Sequence, residues 1–592
     1  MSVQNLITDH IETWTTAQVQ KKSGGRGRSK KSNGQSQYGI KKLRELILDL
    51  AVRGKLVPQD LNDEPASVLL DKITVEKARL IKDGKIKKHK PVPKIDGNEA
   101  PYELPNCWKW VRVGDIGYGL GQKTPTSNFT YIDVSSINNT IGRVESPGML
   151  TASEAPSRAR KIVKVGTVIY STVRPYLQNI CVIDERYNPE PIASTAFAIL
   201  HPFQQMPGKF LSLYLRSPVF VKYVESVQTG IAYPAINDKQ FTGGLFPLPP
   251  LAEQHRIVTK VDELMTLCDQ LEEEQTDKSE THQLLVKTLL DTLTNATDHA
   301  DFIESWQRIE ANFDILFTTE ASIDELKKTI LQLAVMGKLV PQDPNDEQAG
   351  IHFSKPLMLP AGYKRLKKQA VKDNHIGSAN DLPPLPNTWV YKSVDDLYAL
   401  NHILDYADGN HGSLYPRKND FEEEGVIFLT AAQISNSGTI DWGNCPRLKN
   451  QKANKLTKGW SKPGDVFFTH NATVGRTAIA VDCPEIDFLL GTSVTFYRLN
   501  EGSILQRYLY WYFSSRSWYD QAASIMQQTT RNQVSITKQA LFFIALPPIK
   551  EQFRIIEVID KLLPLCDSIK ERLNNAQTTQ VKLADAIVGQ AI

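Results

Sequence analysis

Two passages of this chain occur twice in the same order, and that duplication limits the folds open to it. Glu45–Asp60 reads ELILDLAVRGKLVPQD, and Lys328–Asp343 reads KTILQLAVMGKLVPQD. The passage LPPLAEQHRIVTKVDELMTLCDQLEE, from Leu248, returns as LPPIKEQFRIIEVIDKLLPLCDSIKE from Leu546. Fainter echoes lie between them: LPNCW at Leu104–Trp108 against LPNTW at Leu385–Trp389, and GTVIYST at Gly166 against GDVFFTH at Gly464. Each half is therefore a helical block, a divergent globular segment and a second helical block. The period is far too long for a solenoid, so this is domain duplication, with a pseudo-two-fold relation and two related but non-identical surfaces. The helical blocks keep their wording while the globular segments diverge, and the second segment carries an insertion near its start. Constant helices with divergent inserts fit a scaffold of fixed geometry whose inserts were free to change what they recognise.

A chain of 592 residues, 41% hydrophobic and 8% aromatic, has enough apolar material for several packed domains, roughly four by length. The repeats divide it into an N-terminal helical block with a basic insert (1–100), a first globular segment (101–247), a central helical region (248–381), a second globular segment (382–545) and a C-terminal helical region (546–592). No stretch approaches the roughly 18 apolar residues of a membrane span. The start, MSVQNLITDH, lacks a signal peptide's basic and apolar regions, so a cytoplasmic protein is expected. The six cysteines are scattered without a CxxC pair, and Cys268 and Cys566 hold equivalent apolar positions of the repeat. Buried thiols are expected there, with no disulfide and no metal site. The net charge of +3 is uneven, because residues 1–100 are net basic and the remainder net acidic. Lys21–Lys31 (KKSGGRGRSKK) and Lys82–Lys94 (KDGKIKKHKPVPK) are the dense clusters; both suit phosphate backbones, but the Gly/Ser content of the first favours a solvated tail.

Helical spacing predicts an amphipathic helix over 40–56 (Leu43, Leu46, Ile47, Leu50) that stops at Gly54, and a twin (Leu326, Ile330, Leu331, Leu333) that stops at Gly337. Shorter helices are expected before them, over Ile7–Thr15 and Phe302–Phe317. Long helices are predicted over 253–296 and 554–587. Ile257, Val261, Leu264, Cys268 and Leu271 alternate spacings of four and three, as do Ile555, Ile559, Leu562, Cys566 and Ile569. That is a heptad seam, which must bury one stripe against another helix. The simplest reading packs the two seams on each other, antiparallel. The globular segments look mixed, with strands at Lys161–Tyr170, Ile192–Leu200 and Leu489–Leu499 and helices at Phe210–Val224 and Leu505–Tyr519. The fold class is thus α+β: two mixed α/β segments joined by long antiparallel coiled-coil-like helices.

Catalytic signatures are missing. The chain has no G-x-x-x-x-G-K-[ST] phosphate loop, no H-E-x-x-H and no (D/N)-P-P-(Y/F). Its eleven histidines are dispersed. Equivalent positions of the two globular segments do carry polar sets placed just after a predicted strand and again near the segment's end. The first segment offers Ser171, Thr172, Arg174 and Tyr176, then Thr229 and Tyr233. The second offers Thr469, His470, Asn471, Thr473 and Arg476, then Arg531, Asn532 and Gln533. Arg, Asn and Gln can bond base edges bidentately, and Ser, Thr and Tyr can hold phosphates, so these are candidate contacts to double-stranded DNA. Polar residues after a strand also occur simply as loops.

The order LAVxGKLVPQD, LPxxW, a variable segment and LPPxxEQxRI(I/V)xxxDxLxxLCD, run twice, resembles the specificity (S) subunit of type I restriction–modification enzymes over essentially the whole chain. The long helical blocks, with LAVRGKLVPQD before the variable segment, are similar to the larger EcoA-like (type IB) branch. The resemblance implies that each globular segment is a target recognition domain reading one half of a split DNA site. It implies that the helices fix the spacer and dock two methyltransferase subunits, which use S-adenosylmethionine to methylate adenine. Restriction–translocase subunits using ATP and Mg2+ would join them. This chain would then be a non-catalytic subunit with no cofactor of its own. The alternatives are a structural hub that does not read DNA, and a DNA-processing enzyme with an unrecognised active site.

Overall fold

A computed structural model describes residues 3–20, 35–86, 95–96, 99–204, 206–230, 232–363, 382–471, 473–526 and 533–592. The Lys21–Lys31 cluster and most of the Lys82–Lys94 cluster lie outside these residues. The chain forms two units: Met1–Ser279 with Asn575–Ile592, and Glu280–Asn574.

The repeated LAVxGKLVPQD text builds the same device in each unit. Helix Tyr38–Val52 buries Leu43, Leu46, Ile47 and Leu50, and helix Glu320–Val335 buries Leu326, Ile330, Leu331 and Leu333. Each ends in a left-handed glycine, Gly54 or Gly337, both at φ 70°. The following lysine N–H reaches back to the last turn, Lys55 to the Leu50 carbonyl and Lys338 to the Leu333 carbonyl, each at 2.9 Å. This is the Schellman closure that favours glycine. A second constraint fixes the residue. A Cβ on Gly54 would fall 2.6 Å from Cγ of Pro105, and one on Gly337 2.5 Å from Cγ of Pro386. Both prolines belong to the LPNxW echo, so the two repeated motifs are written against each other.

The LPPxxEQxR motif completes the joint. In the first unit the fully buried Glu253 accepts from the Trp108 indole at 2.8 Å and from Gln59 Nε2 at 2.6 Å, while Arg256 pairs with Asp63 through both nitrogens. In the second, Gln342 Nε2 donates to Glu551 at 2.6 Å and Arg554 pairs with Asp346, while Trp389 holds the position of Trp108 without making its indole hydrogen bond. Burial raises the pKa of both glutamates, and their donors oppose it. Hydrogen bonds to a charged group are each worth about 1.5–3 kcal/mol, and losing one leaves a buried partner unpaired. Each joint thus ties a helical block, a globular segment and the start of a long helix.

Those helices run over Leu251–Asn295 and Ile549–Ala591. The seam residues Ile257, Val261, Leu264, Cys268 and Leu271 are buried, and so are Ile555, Ile559 and Cys566, with Leu562 and Ile569 half-buried. The two sets do not share one zipper as the spacing alone predicts. The first set joins Leu43, Leu46, Ile47 and Leu50 in the core of the first unit, together with Ala584 and Ile587 from the last turns of the second long helix. The second joins Leu326, Ile330 and Leu331 in the other core, with Val286, Leu290 and Leu293 from the last turns of the first. The repeat-motif helix is the missing partner, and matching ion pairs seal it: Arg44 to Asp269 in one unit, Lys327 to Asp567 in the other, both at 2.6 Å. Burial raises the thiol of Cys268 to about 11.

The globular segments share one topology. In the first, an antiparallel sheet runs in the order Ile180–Val182, Val168–Ser171, Phe197–Pro202, Gly117–Tyr118; in the second, Thr477–Ile479, Val466–Thr469, Val494–Leu499, Ile403–Ala407. A second sheet has the order Gly148–Leu150, Phe129–Ile132, Pro191–Ser194, Ala159–Ile162, matched by Arg447–Leu448, Val426–Leu429, Phe488–Leu490, Trp460–Ser461. Its central pair is parallel in both units, and the second unit adds Phe421–Glu422 at one edge. The first and last strands of each segment pair with each other, Lys109–Arg112 with Leu245–Leu248 and Val390–Ser393 with Phe543–Leu546. Each run predicted as one strand is two. Lys161–Tyr170 turns at Gly166 (φ 85°), and its ends enter different sheets. The predicted helices likewise divide, at Ser217-Pro218 and at Ser515, where the serine hydroxyl bonds the tyrosine carbonyl three residues back. Helix Ala66–Lys82, absent from the sequence expectation, buries Leu69, Ile73 and Leu80. No helix among the described residues is long and apolar enough to cross a membrane.

Candidate nucleic-acid interface

In the first unit, strand Val168–Ser171 ends at the loop singled out from the sequence, and the structure brings the two predicted sets together. Val173 and Thr229 both bridge to Ala235, and the Arg174 amide donates to the Pro234 carbonyl at 2.8 Å. Ser171 and Thr172 are buried, and their hydroxyls serve the loop itself, donating to the carbonyls of Val173 (2.9 Å) and Ala196 (2.8 Å). These two hold geometry and face no ligand. Arg174, Tyr176, Thr229 and Tyr233 are the ones that project. Tyr233 is 69% exposed, and the Arg174 guanidinium stands 5.0 Å from its ring centroid. Arg174 adopts φ 48°, a left-handed backbone that costs a non-glycine residue about 1–2 kcal/mol. The outcome is a guanidinium held over an aromatic face in open solvent, with its planar fork available.

The second unit uses the same place differently. Thr469 and His470 are buried. Thr469 Oγ1 accepts from the Arg476 amide at 2.9 Å, and His470 Nδ1 lies 2.9 Å from the Val534 carbonyl. Asn471 bridges to Gln533, so these two predicted positions also meet, while Thr473 is exposed. Arg531 and Asn532 lie outside the described residues. The Arg476 guanidinium is turned inward: it donates to the Ile434 carbonyl at 2.8 Å, the Ala431 carbonyl at 3.2 Å and Asn436 Oδ1 at 2.8 Å.

One feature of this surface is missing from the sequence reading. Asp408 and His411 follow strand Ile403–Ala407, and His411 Nε2 lies 2.7 Å from Asp408 Oδ2. The same carboxylate oxygen is 3.8 Å from His470 Nε2. Burial lowers the His470 pKa, which the Val534 hydrogen bond and Asp408 oppose. The His411 side chain is 58% exposed, and Ser413, Leu414, Tyr415 and Arg417 continue outward from it. The available signal was the Gly/Asn-rich turn Asp408-Gly409-Asn410-His411-Gly412. Gly409 permits a close approach, since a Cβ there would fall on the Leu490 carbonyl oxygen. The described residues contain no group of three or more His, Cys, Asp or Glu placed to hold a metal.

The arrangement is thus two copies of one scaffold, each presenting different polar and aromatic loops at the same strand ends, without an assembled catalytic cluster among the residues just described. The family model for the type I restriction modification DNA specificity domain matches residues 105–280 and 406–577. The specificity subunits of the type I restriction enzymes EcoAI and EcoEI from Escherichia coli are 35% and 34% identical, over the full length of this chain and of each relative. A solved HsdS subunit from Thermoanaerobacter tengcongensis is 22% identical, with a TM-score of 0.40 over 83% of this chain and 98% of that one. The family match and the two full-length relatives carry the assignment: this chain belongs to the type I restriction–modification specificity subunits. Its role is DNA sequence specificity within a type I system, and the full-length likeness to EcoAI and EcoEI agrees with the EcoA-like expectation.

Proposed function

We propose that each unit reads one half of a bipartite DNA site, and that the long helices set the unread spacer and dock two methyltransferase subunits. One observation carries this reading: the core sheet order and the Gln–Glu and Arg–Asp joints recur in both units, while the loops at matching strand ends differ. Restriction–translocase subunits join the same assembly. The chemistry belongs to those partners: S-adenosylmethionine for adenine methylation, ATP and Mg2+ for translocation and cutting. This chain then works in the cytoplasm, binds double-stranded DNA and turns over nothing itself. A hub that held subunits without reading DNA would leave the stacked Arg174–Tyr233 pair and the divergent His411 turn without a task. Methylome sequencing of cells with and without this chain tests the reading. An adenine-methylated motif split by an unread gap should vanish with the chain; its persistence would reject the proposal.

A further inference from the structure

Beside the Arg174 loop in the first unit stands a short hairpin, Ile137–Asn138 paired with Arg143–Val144. Its tip is rigid. Asn138 Oδ1 accepts from the amides of Thr140 (3.0 Å) and Ile141 (3.3 Å), and Gly142 takes φ 66°. Arg216, at the end of helix Gly208–Arg216, donates to the carbonyls of Asn139 (2.5 Å) and Thr140 (3.0 Å). Asn139 Nδ2 in turn donates to the Leu177 carbonyl at 2.8 Å, which ties the tip to the Arg174–Leu177 loop. The second unit has a counterpart, where Ile434 bridges to Ile440 and Arg476 supplies the clamp on the Ala431 and Ile434 carbonyls. In the first unit the arginine fixes the tip through main-chain carbonyls alone; in the second it braces the base of the turn through two carbonyls and holds the tip through Asn436 Oδ1, and the remaining tip side chains are left free to differ.

They do differ. The second tip is polar, with Ser435, Ser437 and Thr439 hydroxyls bonded to one another. The first turns apolar groups to solvent: Ile141 is 59% exposed, Val173 41% and Leu177 38%, next to Arg174 and Tyr176. In the major groove the thymine C5-methyl is the apolar mark among hydrogen-bonding edges. We propose that Ile141 and Leu177 form an apolar contact with a thymine methyl group in the half-site read by the first unit. This inference rests on the DNA-reading role above and deepens it.

The test starts by selecting bound duplexes from a randomised library with the full-length chain in complex with its co-purifying methyltransferase subunits. Each thymine of the selected motif is then replaced singly by deoxyuridine, which removes only the methyl group. At one position uracil should weaken binding about fourfold, the worth of one buried methyl. The variants Ile141→Ser and Leu177→Ser, made at exposed positions, should bind the thymine and uracil duplexes alike, with unchanged thermal melting. Uracil in the other half-site should affect both variants as it affects the parent chain. A motif whose thymines all tolerate uracil would overturn the inference and leave the DNA-reading role standing, as would variants that keep the parent's methyl sensitivity. Variants that lose a co-purifying methyltransferase subunit with an unaltered motif would overturn it too, by assigning the patch to a protein partner. A library that yields no motif would reject the DNA-reading role itself.

Discussion

Arg174 and Arg476 follow equivalent strands, and sequence position alone makes both look like base contacts. The structure separates them by what already satisfies their donors. Arg174 has an aromatic face beneath it and solvent around it, whereas Arg476 is spent on two carbonyls and an asparagine oxygen. Arg174→Ala should weaken DNA binding by ~1–3 kcal/mol and relax the motif at one position, if the lost contact is a bidentate base contact. Arg476→Ala should instead lower the unfolding midpoint of the chain, because it strips a hydrogen-bond donor from two carbonyls at once. Binding selections and thermal melts on both variants check the pair of outcomes, and reversed phenotypes would show that exposure misassigned them. The same reasoning sorts the other polar candidates. Ser171, Thr172, Thr469 and His470 were legible as loop residues, but not as inward-facing ones. Ser171 and Thr469 close their strands and Thr172 and His470 carry the same close packing one residue further, which the neighbouring Ala196 and Val534 carbonyls reveal. His411 was invisible as a candidate because its significance depends on Asp408 and on a loop far along the chain.

At the level of elements, periodicity located the helices and the antiparallel association of the long ones, start of each with end of the other, but not the repeat-motif helix that shares each core. The long helices and the glycine stops at Gly54 and Gly337 follow from spacing and a positive φ. What the stripe packs on is a non-local fact. A heptad seam demands a helix, and each seam core takes in both the LAVxGKLVPQD helix and the last turns of the other long helix. Strand runs fused in the sequence reading because β-branched residues continue across a turn, while hydrogen bonding sends the two ends to separate sheets. If the long helices set the unread spacer, lengthening both should lengthen it. Seven residues inserted after Ser279 and after Asn574 fall where the chain passes from one unit to the other, and leave both seam cores intact. At ~1.5 Å per residue the insert adds about 10 Å, or roughly three base pairs at ~3.4 Å each. The half-sites also rotate by roughly 100°, since a turn takes about 10.5 base pairs, so affinity should fall before the new spacing is accepted. A four-residue insert at the same points breaks the heptad phase between the two stretches of each helix and should damage assembly more than spacing. Sites selected from randomised-spacer DNA decide it: an active seven-residue variant that keeps the parent spacer would mean the helices do not measure the gap.

Across the whole molecule, duplication was the most legible feature, and the structure explains which words had to be repeated. Pro105 against Gly54, Gln59 on Glu253, and Asp63 on Arg256 each recur in the second unit, so the LAVxGKLVPQD, LPNxW and LPPxxEQxR motifs are faces of one joint. The unrepeated residues lie between those joints, in loops whose geometry no local pattern dictates. The base sequence read by each unit was therefore out of reach. The same division predicts that recognition is modular. Replacing residues 101–247 with the matching segment of a relative exchanges strand Lys109–Arg112 together with all but the last residue of its partner Leu245–Leu248, so the pair that closes the segment travels nearly whole. The incoming segment must also carry its own LPxxW tryptophan to meet Glu253. Such a chimera should methylate sites in which one half of the motif is new and the other half is the parent's, at the parent spacing. Methylome sequencing of cells carrying the chimera reads both halves at once. A motif altered in both halves would mean that each unit's loops depend on the other. A motif lost altogether, from a chimera that folds and retains its methyltransferase subunits, would mean that specificity does not reside in the segment between the joints.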